Sequence, residues 1–211
     1  MPKVIASEEE RIPAGSELMA INNHPIADFL DYEFHNDLSQ KRTVLILSGG
    51  VRRLVDFRVN ERIDVRLEEP KYRSCTNNCD FCFIDGLPKG LRQEVYFRDD
   101  DYRLSFLFGN FLSLTNIYED DIERIARLRL SPIYVSVHTT DPPLRQRIFK
   151  NKRAGLIMKQ LTSLVERNIK VHCQIVILPG ITDGLSLSST IADLGSLYPG
   201  IGSVGIVPVG F

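Results

Sequence analysis

The sequence predicts an α/β protein in two parts, a small α+β domain over residues 1–62 and a partial (βα) barrel over residues 63–211. The first part contains strand-like and helix-like segments around a Gly-Gly turn. From about Arg62 onward, strand-like and helix-like segments alternate, which is typical of parallel βαβ units. With 211 residues and 43% hydrophobic side chains, the chain is long and apolar enough for one or two cores.

The first part begins with GSELMAINNHPI, which alternates like a strand and ends in an Asn-Asn turn. The next stretch, ADFLDYEFHNDL, is predicted to form a helix because Ile26, Phe29, Leu30 and Phe34 recur at helical spacing. TVLILSGGVRRLVDFRV then has the pattern of two strands joined at a Gly-Gly turn, which indicates a hairpin.

This succession of strand, helix and hairpin resembles a PDZ-type domain. Domains of that type bind extended peptides beside a strand and a helix. The segment is short and has no good glycine-rich loop for a peptide carboxylate. We therefore expect a module that packs against the rest of the protein rather than a peptide receptor.

Five strands and three helices are predicted in the second part. The strand segments are IDVRLEE, YRLSFLFG, PIYVSVH, KVHCQIVIL and SVGIVPV. The helical segments are YEDDIERIARLRL, residues 153–167 and LSSTIADLGSL. In an α/β barrel the functional residues gather at the C-terminal ends of the strands. Those ends carry residues 109–110, 138–141, 179–180 and 208–210.

The stretch SCTNNCDFCFI places Cys75, Cys79 and Cys82 in a C-x3-C-x2-C spacing. In a reducing compartment, clustered cysteines bind metals more often than they form disulfides. A structural zinc site usually closes with four ligands, whereas a [4Fe-4S] cluster on three thiolates keeps one iron open. The spacing favours a cluster over zinc. The fourth cysteine, Cys173, lies in the apolar segment VHCQIVIL and is predicted to be a core thiol.

Charge and hydropathy narrow the range of partners. A formal net charge of -1 gives no electrostatic basis for binding nucleic acid or an anionic membrane. No apolar run approaches the roughly 18 residues of a membrane-spanning helix. The N-terminal MPKVIASEEE has no apolar signal core. We expect a cytoplasmic protein that acts neither on nucleic acid nor at a membrane.

The residues around the cysteines resemble the radical S-adenosylmethionine (SAM) superfamily. The motif C-x3-C-x-Phe-C, on a loop that opens an α/β half-barrel, carries the resemblance. The stretches CTNNCDFCFIDGLPKGLR, DDDYRLSFLFGNFLSLTN, YVSVHTTDP and ILPGITDG are similar to one branch. That branch joins an N-terminal PDZ-like segment, a radical SAM core and a C-terminal domain of unknown function 512. Its members are often labelled iron–sulfur oxidoreductases.

The resemblance implies a [4Fe-4S] cluster on Cys75, Cys79 and Cys82, with SAM bound at the open iron. The implied reaction is one-electron reductive cleavage of SAM to methionine and a 5′-deoxyadenosyl radical, which abstracts hydrogen from an unknown substrate. The implied partner is an electron donor such as flavodoxin or ferredoxin.

Four further positions are assigned to SAM binding by the same resemblance. Phe81 matches the aromatic position that flanks the adenine, and Gly180 matches a glycine near the adenine. Gly109 and Asn110 stand where relatives carry a Gly-Gly-Glu-like run that meets the methionine amino group. Here no Glu follows Asn110.

Polar side chains follow one face of two predicted strands, namely Tyr134, Ser136 and His138 on one and His172 and Gln174 on the other. A solidly packed barrel would carry branched apolar residues there. We therefore expect a ligand-holding interior, with His138 at the functional end of its strand as a further cofactor-binding candidate. A hydrogen-bonded structural histidine is the alternative.

Two charged segments have ordinary interpretations. Residues 99–101, three consecutive aspartates, are predicted to form a solvated turn before a strand. Lys89 and Arg92 are predicted to lie on an exposed basic loop.

The barrel core of the superfamily usually has more βα units than the five strands predicted here. We expect a missing C-terminal domain, or another subunit, to cover the apolar edge of the last strand. The alternative function, from a different class, is a non-catalytic PDZ-like adaptor with a structural zinc or iron–sulfur site.

Overall fold

The structure, a computed structural model, describes residues 1–210. The chain folds into two compact units, Met1–Lys71 and a second that begins at Tyr72. The division falls after the predicted boundary at residue 62, because strand β6 (Val65–Leu67) pairs antiparallel with strand β1 (Val4–Ser7). The segment IDVRLEE therefore belongs to the first unit and does not open a barrel.

A four-stranded antiparallel sheet, in the order β3-β2-β4-β5, is the larger sheet of the first unit. Its strands are β2 (Glu17–Ile21), β3 (His24–Pro25), β4 (Arg42–Ser48) and β5 (Val51–Phe57). The predicted hairpin is confirmed. Gly49 and Gly50 connect β4 to β5 with φ of +57° and +77°, which glycine adopts without strain.

The helix of this unit is α1 (Phe29–His35), as predicted. The Asp28 carboxylate caps it by accepting the backbone N–H of Leu30 at 3.0 Å. The Tyr32 hydroxyl donates to the Ile63 carbonyl at 2.7 Å and so ties the helix to the chain just before β6. Buried apolar residues of the core include Val4, Leu18, Ile21, Val44, Ile46 and Phe57. The PDZ-like assignment of this unit stays a prediction.

Parallel strands form the sheet of the second unit, in the order β7-β8-β9. They are β7 (Ile133–Ser136), β8 (Val171–Ile177) and β9 (Ile201–Pro208). Beside β7, the Leu112 N–H donates to the Tyr134 carbonyl at 2.9 Å, and the Ser136 N–H donates to the Leu112 carbonyl at 2.7 Å. The α/β class is as predicted, but the described residues have three parallel strands, not five, and show no clear barrel.

The strand predicted at YRLSFLFG is wrong, because Tyr102–Phe108 forms helix α2. The Asp101 carboxylate caps its first turn by accepting the Arg103 N–H at 2.9 Å. Gly109 ends the helix in the left-handed region, at φ +77°. The apolar residues of this segment fit a helix or a strand, so the two caps decide its conformation.

The remaining helices of the second unit are α3 (Glu119–Arg127), α4 (Pro142–Phe149), α5 (Ile157–Glu166) and α6 (Gly184–Gly195). Short 3-10 helices span Gln93–Tyr96 and Lys152–Leu156. Helices α3, α5 and α6 lie where the sequence predicts helices, whereas no helix is predicted at α4. The paired prolines at the start of α4 fit a first helical turn, where no backbone donor is needed.

One face of the parallel sheet is apolar. Its buried residues on β7 and β8 are Ile133, Val135, Val171, Cys173 and Ile175. Cys173 is therefore a core thiol, as predicted. No helix in residues 1–210 is long and apolar enough to cross a membrane.

Candidate functional site

The three clustered cysteines lie on the irregular segment that precedes α2, and all three are partly buried free thiols. The Cys75 N–H donates to the Arg98 carbonyl at 2.6 Å, and the Cys82 N–H donates to the Cys79 carbonyl at 3.2 Å. Across residues 1–210, no group of three or more His, Cys, Asp or Glu side chains has the arrangement of a metal site. The ligand triad therefore stays a prediction.

Burial raises the pKa of the Cys75 thiol and raises that of Cys79 to about 12. Charge on Cys75 and Cys82 adds to the shift at Cys79, and Arg145 opposes it. The cysteines thus lie close enough on one loop for the charge of one thiolate to raise the pKa of another. A thiol must lose its proton to bind a metal, so these thiolates need a cation to stabilise them. Three cysteine thiolates are the donor set of a [4Fe-4S] cluster that keeps one iron open.

Two of the predicted cofactor-binding residues, Phe81 and His138, lie together. Their ring centroids are 5.0 Å apart in an edge-to-face arrangement. Phe149 of α4 stacks on His138 at 5.3 Å and meets the edge of Phe81 at 6.2 Å. Cys79 and Phe81 pack against the apolar cluster that contains Phe149. The three rings thus form an apolar wall on one side of the partly buried Cys79 thiol.

His138 is buried and has φ of +62°, just beyond the end of β7. Its Nδ1 accepts the backbone N–H of Val176 at 3.0 Å, so the neutral ring carries its proton on Nε2. Burial, assisted by the charge of Arg145, lowers its pKa from 6.5 to about 3. The structure thus shows His138 as a neutral histidine with a structural hydrogen bond.

We expect His138 to make the fold sensitive to acid. Because the unfolded chain binds a proton at this histidine below pH 6.5 and the folded chain does not, stability falls as pH drops from 6.5 towards 3. At pH 5 the loss is about 2 kcal/mol, at about 1.4 kcal/mol per pH unit. Urea unfolding at pH 7.5 and pH 5 measures it. His138→Asn should lose correspondingly less stability on acidification, and an unchanged pH dependence in that variant contradicts the prediction.

The other predicted cofactor-binding residues, Gly109, Asn110 and Gly180, take part in local turns and hydrogen bonds. Gly109 ends α2, not a strand, and a Cβ there would lie 3.7 Å from the Tyr134 ring. The Asn110 Nδ2 donates to the Asp99 carboxylate at 2.8 Å. Gly180 has φ of +72°, and its N–H donates to Asp183 at 2.8 Å in the turn before α6. Within residues 1–210, no ring contact or hydrogen bond joins Gly109, Asn110 or Gly180 to Phe81 or His138.

Opposite the buried face of the parallel sheet runs a polar row. Strand register aligns Tyr134, His172 and Ser203 across β7, β8 and β9. The Tyr134 and His172 rings stack at 5.2 Å, and the His172 Nδ1 lies 2.7 Å from the Ser203 hydroxyl. Ser136 and Gln174 align in the next row. The predicted polar face is therefore present, and its role as a ligand-holding interior stays a prediction.

The solvated turn predicted at residues 99–101 is wrong, because Asp100 is 1% exposed and Asp101 is fully buried. Asp100 accepts from the backbone N–H of Ser113 at 2.6 Å and from its hydroxyl at 2.5 Å. Asp101 caps α2 and accepts the Arg73 N–H at 2.8 Å. Backbone donors at both aspartates account for their burial. Lys89 and Arg92 are exposed, as predicted.

Sequence reasoning missed two residues beside the cysteine loop, Asn77 and Arg145. Asn77 is 6% exposed and donates from Nδ2 to the Cys75 sulfur at 3.3 Å. Arg145 is fully buried, with its guanidinium 4.2 Å above the Phe149 ring. Helical spacing with Ile148 and Phe149 could have placed Arg145 on a buried face. No sequence signal separates Asn77 from its neighbour Asn78.

Comparison with known families identifies a domain family that matches most of the chain. A family model described as a radical SAM-like domain matches residues 58–204, a span that contains all three clustered cysteines and the polar row of the sheet. No curated protein matches the chain.

Proposed function

The chain belongs to the family of radical SAM-like domains, and from this premise we propose that it is a radical SAM enzyme in which Cys75, Cys79 and Cys82 hold a [4Fe-4S] cluster. The observation that carries the proposal is a C-x3-C-x2-C loop, with thiols that interact electrostatically, inside the matched span. Support comes from the donor set, because three cysteines on one loop match the three thiolate ligands of a cluster that keeps one iron open.

When bound, the cluster and SAM supply one-electron reductive cleavage of SAM and a 5′-deoxyadenosyl radical that takes hydrogen from the substrate. The residues of this chain would bind and orient the cluster and SAM, and they would exclude water from the site. The Phe81, His138 and Phe149 rings keep the environment of Cys79 apolar, which strengthens electrostatic interactions there. The buried charge of Arg145 favours the Cys79 thiolate.

For SAM itself, we place Phe81 and Gly180 beside the adenine, with His138 supporting the Phe81 ring. Gly109 and Asn110 would meet the methionine amino group. The orientation of the Asn110 amide supports this placement. Its Nδ2 donates to the Asp99 carboxylate, so its oxygen faces away from that carboxylate. An amino group needs such an oxygen as its acceptor.

The remaining parts of the proposal concern partners and setting. We propose a cytoplasmic oxidoreductase that receives its electron from a donor such as flavodoxin or ferredoxin. The first unit would be the PDZ-like segment of the branch that also carries domain of unknown function 512, and such a C-terminal domain would supply further substrate contacts. The succession of strand, helix and hairpin in the first unit supports its assignment as the PDZ-like segment.

Anaerobic reconstitution with iron and sulfide, followed by electron paramagnetic resonance of the reduced protein, tests the proposal. We expect a reduced-cluster signal whose shape changes when SAM is added, because SAM binds the iron that carries no cysteine. A cluster signal indifferent to SAM overturns the assignment of a SAM-cleaving site. Retained zinc without a cluster would instead support the non-catalytic adaptor.

A further inference from the structure

Asn77 lies inside the C-x3-C turn and is buried against the first cysteine of the motif. Its Nδ2 donates to the Cys75 sulfur at 3.3 Å. Its Oδ1 accepts from the Thr115 hydroxyl at 3.0 Å and from the Asn151 Nδ2 at 2.9 Å. The side chain therefore has partners on both sides, and only one of them is a predicted metal ligand.

The contacts of Asn151 determine which way the Asn77 amide faces. The Asn151 Oδ1 accepts the backbone N–H of Arg153 at 2.9 Å, at the start of a 3-10 helix. A backbone N–H can only donate, so Asn151 must present Nδ2 to Asn77. Asn77 must then turn its oxygen to Asn151, and its Nδ2 is left facing the sulfur. The N–H···S contact is thus imposed from outside the cysteine loop.

A second set of contacts fixes the same amide from the sheet side. The Thr115 hydroxyl lies 2.8 Å from that of Ser113, whose hydroxyl bonds the buried Asp100 carboxylate. Ser113 and Thr115 follow Leu112, the residue bridged to β7. Polar side chains thus lie in contact from the buried carboxylate to the amide at Cys75, with the single proton of the Thr115 hydroxyl donated to the Asn77 oxygen.

We propose that Asn77 is a positioning residue that donates a hydrogen bond to the Cys75 thiolate and raises the reduction potential of the cluster. The inference rests on the proposed function. Hydrogen bonds to ligand sulfurs stabilise the more negative, reduced cluster more than the oxidised one. Asn151, acting through Asn77, sets the direction of that bond.

Asn77→Leu removes the donor and keeps the number and branching of the side-chain heavy atoms. We expect the ratio of reduced to oxidised cluster at a fixed solution potential to fall roughly fivefold, a shift of about 40 mV to more negative potential. The matched control is Asn78→Leu, the same change at the adjacent exposed asparagine, which should leave the potential unchanged. A redox titration followed by electron paramagnetic resonance measures both. Equal potentials in wild type and Asn77→Leu overturn the inference.

Asn151→Asp tests the orientation without touching the cysteine loop. Its carboxylate still accepts the Arg153 N–H, but it offers Asn77 an acceptor where Nδ2 stood, so the Asn77 amide turns and its oxygen faces the sulfur. We expect a larger negative shift than in Asn78→Asp, which adds the same charge. Equal shifts in these two variants also overturn the inference. Absence of a cluster in the wild-type protein would instead overturn the proposed function, so the two failures are distinguishable.

Discussion

Replacement of Cys79 by alanine will abolish both cluster binding and SAM cleavage. Cys79 is the middle cysteine of the motif, and its thiol packs against the apolar cluster around Phe149. Burial raises its pKa to about 12, so without a metal the thiol stays protonated. Cys79→Ala leaves two of the three cysteine ligands, and the Phe81 and Phe149 rings on that side carry no metal-binding atom.

Iron and sulfide content after anaerobic reconstitution measures the first effect, and 5′-deoxyadenosine formed from SAM with dithionite measures the second. Cys173→Ala is the matched control, because it removes the cysteine buried in β8 and should retain the cluster. SAM cleavage by Cys79→Ala at the wild-type rate would rule out this cysteine as a ligand and with it the proposed site.

How far the sequence predicts the fold depends on the kind of signal in each element. Segments with one clear period, such as the hairpin at Gly49 and the helix Glu119–Arg127, agree with the prediction. The apolar residues of Tyr102–Phe108 fit both periods, and its caps at Asp101 and Gly109 decide for a helix. Such caps are visible in the sequence and outweigh an apolar run of ambiguous period.

The barrel expectation failed for a different reason. Strand β6 lies in the segment predicted to be the first barrel strand, yet it pairs with β1, about sixty residues earlier in the chain. Alternation of strands and helices indicates βαβ units but not which strand is the neighbour of which. Pairing between distant segments is a tertiary property that periodicity does not contain.

At the site, the sequence alone identifies the cysteines and the aromatic residue of the motif, but it does not identify the amide and carboxylate residues that support them. The cysteine spacing identifies Cys75, Cys79 and Cys82 as a group, and the aromatic residue in the motif identifies Phe81. The group that supports them includes Asn77 and Asp100, which act through hydrogen bonds across distant segments. An isolated amide or carboxylate gives no pattern from which such a partner can be inferred.

Replacement of Arg145 by methionine will destabilise the second unit more than any surface change. Arg145 is fully buried, and its guanidinium donates to backbone carbonyls only. Its acceptors are the carbonyl oxygens of Val137, Ala154, Ser113 and Ser136, at 2.9, 2.6, 2.9 and 2.7 Å. One side chain thus connects the end of β7, the segment beside it and the 3-10 helix before α5.

The expected loss in the free energy of unfolding follows from the hydrogen bonds that Arg145→Met removes. Methionine keeps the unbranched apolar stem of arginine but is shorter and donates nothing, so four buried carbonyl oxygens lose a partner. We expect a loss of about 4 kcal/mol or more in the free energy of unfolding, at the high end for single substitutions. Burial lowers the Arg145 pKa only to about 9, so the guanidinium remains charged at neutral pH and each bond is charge-assisted.

Urea unfolding followed by far-ultraviolet circular dichroism measures the loss, because the chain has no tryptophan to report by fluorescence. Arg147→Met is the matched control. It makes the same change two residues later on α4, where the side chain is exposed, and should shift stability by no more than about 0.5 kcal/mol. Equal midpoints for the two variants would show that the carbonyls around Arg145 find other donors. In that case the guanidinium would be needed at this site for its charge beside Cys79, and not for the fold.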